Sequence, residues 1–122
     1  MTVAEALQRL DTLHPNHYTK AEKLVWLNRM EYQLLTELLM PLGLMNQFTP
    51  YTEQTPDDTL LLAPAPFDGM YDHWLESQLF YVLRDFHAYN RAVDLYNRWY
   101  AQYIRYVLRE SKLRVSRLSV LS

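Results

Sequence analysis

The 122-residue chain is one domain long, and its 49% hydrophobic and 21% charged residues match a globular fold with its own core. It has no cysteine, which excludes disulfides, thiolate zinc sites and cysteine nucleophiles, and no apolar run nears the roughly 20 residues of a membrane-spanning helix. The net charge of −2 conceals a split: residues 1–83 carry four basic and eleven acidic side chains, residues 84–122 eight basic and three acidic.

The first helix is predicted over about Val3 to Leu13. Thr2 and Glu5 form a capping box at its start, and Val3, Ala6, Leu7, Leu10 and Leu13 mark its inner face. Glu5, Arg9 and Asp11 interrupt this opening stretch, so no secretory leader is expected. His14-Pro15-Asn16 ends the helix, because the residue before a proline is pushed out of the α region. A second capping box, Thr19 to Glu22, opens a helix predicted over about Lys20 to Met40. Its apolar stripe is Leu24, Leu27, Met30, Leu34 and Leu38, widened by Leu35 and Leu39, and Pro41 and Gly43 stop it.

Residues 43–66 hold four prolines, several threonines and an acidic tip from Glu53 to Asp58. Thr59 to Ala63 is the one convincing strand candidate. It is expected to pair with a segment near Phe48 to Thr52 as a hairpin, or else to stay a Pro/Thr-rich loop. A loop of this length in a compact domain suggests an arm that orders on a neighbour, or a solvated loop.

Helix three is predicted to start near Pro66 and helix four to end near Arg109. Apolar residues recur at steps of three and four, from Phe67, Met70, Tyr71, Trp74, Leu75, Leu79, Val82, Leu83 and Phe86 on to Tyr89, Ala92, Val93, Tyr96, Trp99, Tyr100, Tyr103 and Val107. The phase slips by one position around Arg84 to Ala88. Either the helix bends there or it turns back. A four-helix bundle favours the turn, although no Gly or Pro is present to make it. In residues 110–122, Leu113, Val115, Leu118 and Val120 alternate with Lys112, Arg114, Ser116, Arg117 and Ser119, which reads as an extended basic tail. The fold class is therefore all-α: a roughly four-helix domain over residues 1–109, with an arm at 43–66 and an extended tail at 110–122.

No catalytic signature stands out, and no cofactor is expected. His14 and His17 lie three apart without a third ligand nearby, and His73 with Asp72 and Glu76 reads as a solvated face. Glycine occurs only at 43 and 69, so phosphate-cradling loops are absent. Arg84, Arg91, Arg98 and Arg105 repeat every seven residues and would form one positive stripe on a continuous helix. Such a stripe suits an acidic neighbour or DNA phosphates, or is simply solvated. Direct DNA reading is weakly supported, since a phosphate binder is normally basic overall. The charge split suggests head-to-tail contact between copies, a basic end aimed at an acidic partner, or a dipolar monomer.

Several segments resemble a family of head–tail connector (neck adaptor) proteins of tailed bacteriophages. They are Val3-Ala4-Glu5-Ala6-Leu7, Pro15-Asn16 with Tyr18-Thr19, Lys23-Leu24 with Trp26-Leu27-Asn28, and Phe48-Thr49 with Tyr51-Thr52-Glu53. Leu60 to Phe67, Tyr71, Tyr89-Asn90 and Tyr96-Asn97 continue the likeness in the same order over residues 3–100. Arg29-Met30-Glu31 stands where the family pattern has an acidic-Gly pair. The resemblance implies a structural virion protein of the neck, present in the host cytoplasm during assembly. It implies a helical ring of about twelve copies beneath the portal, which extends the DNA channel and seats the next neck or tail protein. DNA would pass through without sequence-specific binding, and no membrane is involved. On this reading the tail residues Lys112, Leu113, Arg114, Val115, Arg117 and Leu118 meet the portal, and Arg91, Arg98, Arg105, Tyr51, Asp57 and Asp58 meet the adjacent subunit. The alternative is a small helical interaction module, such as a chaperone or regulator, or a nucleic-acid-binding helical domain.

Overall fold

The structure is a computed structural model. It describes residues 1–121, with side chains as far as Leu113. It is all-α: α1 (Val3–Leu13), α2 (Lys20–Leu34), α3 (Met70–Val82) and α4 (Phe86–Leu121). A π-helical turn, Leu35–Leu39, extends α2, and a 3₁₀ turn, Phe67–Gly69, leads into α3.

Both predicted caps are present. The Thr2 hydroxyl accepts the Glu5 N–H at 3.1 Å, and Thr19 and Glu22 complete a reciprocal box with bonds of 3.1 and 2.8 Å. The α2 stripe is buried throughout, from Leu24 through Leu38, with Leu35 and Leu39. The helix closes in a π turn, where the Met40 N–H reaches the Leu35 carbonyl at 2.8 Å. Pro41 then follows, and Gly43 takes the left-handed conformation at φ 69°. In α1, Val3, Ala6, Leu7 and Leu10 are buried as expected, but Leu13, in the last turn, is 60% exposed.

Helices α3 and α4 are separate and form the most extensive pair in the fold. The turn is a Schellman motif, in which Asp85 N–H bonds the Phe80 carbonyl at 2.9 Å and Arg84 N–H bonds the Tyr81 carbonyl at 3.1 Å. Arg84 occupies the position that glycine usually takes, at φ 60°. Asp85 then caps α4 by accepting the Ala88 N–H at 3.2 Å. The chain thus reverses without Gly or Pro. Because it reverses there, Val82, Leu83 and Phe86 do not continue the core face but stand 41%, 55% and 53% exposed. Downstream, Ala92, Tyr96, Tyr103 and Val107 are buried.

Three further expectations are corrected. First, α4 does not stop near Arg109: it runs for 36 residues to Leu121, so residues 110–121 are helical and not an extended tail. Extending an existing helix needs no new nucleus, and the short alternating pattern does not outweigh that. Second, no hairpin forms within 43–66. The Tyr51 N–H and carbonyl are both taken by the Asn28 side chain, at 2.9 and 3.1 Å, so the segment near Phe48 has an amide in place of a strand partner. Leu60 instead bridges antiparallel to Thr2, with Val3 N–H on the Thr59 carbonyl and Leu61 N–H on the Met1 carbonyl. Third, the face of α3 that carries Asp72, His73 and Glu76 is partly buried between α1 and α4. Asp68, Asp72 and Glu76, four apart, meet the amino terminus at 2.8 Å, Arg9 at 2.7 Å and His14 at 3.0 Å.

Candidate interaction surfaces

The arm is fixed to the bundle by one carboxylate. Glu31 is fully buried on α2. Its Oε2 accepts the Tyr51 hydroxyl at 2.6 Å and the Leu62 N–H at 2.9 Å, and its Oε1 accepts the Tyr71 hydroxyl. The Tyr71 oxygen in turn accepts the Ala63 N–H at 2.9 Å. Burial pushes the Glu31 carboxyl above its ordinary value, although the bonds from Tyr51, Tyr71 and Leu62 pull it down. Burial, with the Glu31 charge behind it, also pushes both phenols up. This network ties both flanks of the arm, Tyr51 on one side and Leu62-Ala63 on the other, to α2 and α3.

Between those anchors the chain makes two turns, closed by Thr55 N–H on the Thr52 carbonyl at 3.0 Å and Thr59 N–H on the Pro56 carbonyl at 3.1 Å. They hold Glu53, Asp57 and Asp58 in solvent. Leu60, just beyond, is 70% exposed, the most exposed large apolar side chain among the described residues.

The opposite charge lies along α4. Arg91, Arg98, Arg105 and Lys112 follow one another every seven residues on a single helix, all exposed. Each step is about 10 Å and the drift is small, so they form one row about 31 Å long. Arg84 lies outside this row, in the turn before the helix. Arg98 pairs with Asp94 at 2.8 Å, but both side chains are largely solvated and the pair contributes little. Among the described residues, Arg91, Arg105, Arg109 and Lys112 have no ion-pair partner. Beside the row, Leu42 and Leu108 floor a groove of about 570 Å³, with Arg105, Arg109 and Lys112 on its rim. A second groove of about 350 Å³ lies between Leu39, Leu44, Tyr103, Tyr106 and Leu113.

Of the expected subunit-contact residues, Arg91, Arg98, Arg105, Asp57 and Asp58 are thus exposed. Tyr51 is not: it is buried, its hydroxyl on Glu31 and its ring 5.1 Å edge-on to Phe48. A phenol committed to that network cannot face another subunit, and its part is to anchor the arm. Of the expected portal-facing residues, Lys112 and Leu113 are exposed on the helix, whereas the side chains of Arg114, Val115, Arg117 and Leu118 lie outside the described residues.

Sequence reasoning missed two features. Glu31 lies four residues after Leu27 and three before Leu34, on the apolar face of α2, and an acid at that spacing is the signal of a buried partner. The exposed tip of Tyr81, Leu83 and Phe86 was hidden inside an apparently continuous apolar face. There Tyr81 packs on Phe86 and Tyr89 at 6.1 and 5.5 Å between ring centres. No helix among the described residues is long and apolar enough to cross a membrane. No family model, characterised protein or solved structure matches the chain.

Proposed function

We propose that this protein is a head–tail connector of a tailed-bacteriophage virion: a structural adaptor that forms a ring beneath the portal, extends the DNA channel and seats the next neck or tail protein. The observation that carries this reading is the distribution of unpartnered charge. A row of basic side chains runs along one long helix, acids stand exposed on an anchored arm, and no ion pair joins the two among the described residues. Surfaces of opposite sign at different places on one chain suit heterologous contacts, the kind from which rings are built when the rotation between copies closes. The sequence resemblance over residues 3–100 supports the same reading, and the all-α bundle is compatible with it. The reading places the protein in the host cytoplasm during assembly and in the virion neck afterwards.

Light scattering on the purified protein, alone and mixed with the portal protein encoded beside it, tests the proposal. A mass rise to a portal-plus-ring complex is expected. A monomer that ignores the portal at every concentration would overturn the connector reading in favour of a helical interaction module. The basic row also suits nucleic acid, and that reading predicts duplex binding that falls steeply with added salt.

A further inference from the structure

The groove beside the basic row and the corner of the arm have matching chemistry. The groove has an apolar floor, Leu42 and Leu108, and a cationic rim that includes Arg105 and Arg109. The arm presents two carboxylates, Asp57 and Asp58, in solvent, followed two residues later by the exposed Leu60. The hydrogen bonds of the Thr2–Leu60 bridge belong to the neighbouring residues, so Leu60 is held in extended backbone with its side chain free. The corner is therefore a fixed feature, with acids ahead of one apolar knob. Its own chain offers these acids no cation among the described residues.

We infer that the Asp57–Leu60 corner of one copy docks into the Leu42/Leu108 groove of the next. Asp57 and Asp58 meet Arg105 and Arg109, and Leu60 enters the apolar floor. The contact joins two different surfaces, so it is heterologous, and repetition gives a closed ring or an open chain. This inference rests on the proposed homo-oligomer and names its subunit contact. Charged rims set orientation and partner choice, while the buried apolar residue supplies most of the affinity.

A charge-swap experiment tests it by light scattering at low salt. Wild-type protein assembles. Asp57→Arg/Asp58→Arg and Arg105→Glu/Arg109→Glu each fall back towards the 14.6 kDa monomer, with unchanged circular dichroism. Mixed in equal amounts, the two variants assemble again, because every contact then joins unlike charges, and misfolded variants would not recover. Leu60→Asp disassembles in the same way. Variants that keep the wild-type mass, a mixture that stays monomeric, or a wild-type protein that is monomeric throughout would each overturn the inference. Portal capture by the same variants separates the outcomes. Capture with unaltered oligomers rejects this contact and leaves the connector reading standing, whereas no capture by wild-type protein rejects the connector reading itself.

Discussion

The Tyr71 hydroxyl donates to Oε1 of Glu31 while its own oxygen accepts the Ala63 N–H, so one phenol links α3, α2 and the arm. Glu31→Ala would leave two phenols and the Leu62 N–H without their acceptor inside the core. Hydrogen bonds to a charged group are worth about 1.5–3 kcal/mol each, and stranding buried partners costs more than the bonds return. The expected loss is about 3–4 kcal/mol in urea unfolding. Because the arm is held there, limited proteolysis should cut within residues 52–60 faster in the variant. Equal cleavage rates would show that the arm is held by something else.

The acid dependence of stability separates the buried carboxylate of Glu31 from the half-buried one of Glu76. The His73 ring, and behind it His14, hold the Glu76 carboxyl below its ordinary value of 4.5, although burial works the other way. His14 Nε2 lies 3.0 Å from Oε2, and His73 Nδ1 lies 3.4 Å from Oε1 without hydrogen-bond geometry, so its influence is Coulombic. A depressed folded value means stability that is present above the unfolded value and lost as the pH falls below about 4.5. Glu31 has the opposite sign. Its raised folded value favours the protonated folded state, a contribution lost as the pH rises through that value. Glu76→Gln should therefore flatten the acid limb of the stability profile, and Glu31→Gln should flatten the limb above pH 4.5. Urea midpoints measured across the acid range check both.

Arg84 holds a left-handed conformation that costs a non-glycine residue about 1 kcal/mol. Arg84→Gly should stabilise the protein by up to that amount, reduced by the greater freedom of glycine in the unfolded chain. The melting temperature should rise by a few degrees. A fall would mean that the arginine side chain makes a contribution exceeding its backbone strain.

The helices, both threonine N-caps and the reciprocal box at Thr19–Glu22 were legible because they depend on local rules, side-chain caps and apolar period, whereas the phase slip marked the α3–α4 junction without deciding between a bend and a turn. What was not legible depends on partners distant in sequence. Asp72 and Glu76 look solvated on α3 until α1 brings Arg9 and His14 against them. Asn28 standing in for a strand beside Tyr51 has no sequence signature, since an amide 23 residues away replaces the ladder. The end of α4 misled for another reason. Over eight residues a period of two is easily produced by chance, and a helix already running past Val107 simply continues. Of the candidate surfaces, the charges were visible, but not the groove, which exists only where Leu42 meets α4.

The helical state of residues 110–121 changes what the portal would meet. The exposed side chains of Lys112 and Leu113 stand on this part of α4, so a helix and not a strand is presented. A helix docks as a row of anchors in a groove, whereas a strand pairs along a sheet edge. Deleting residues 111–122 should abolish portal capture and leave the bundle folded, since the buried residues of α4 end at Val107 among the described side chains. Thermal unfolding should shift by only a few degrees. Placing a proline at Ser111, Ser111→Pro, which removes none of the expected portal contacts, makes the distinction sharper: it breaks a helix at a cost of about 3 kcal/mol but is tolerated on an edge strand. Loss of capture by this variant, with the melting transition retained, would establish helical docking. Full capture by it would return the terminus to an extended mode, and full capture by the truncated protein would move the portal contact to another part of the chain.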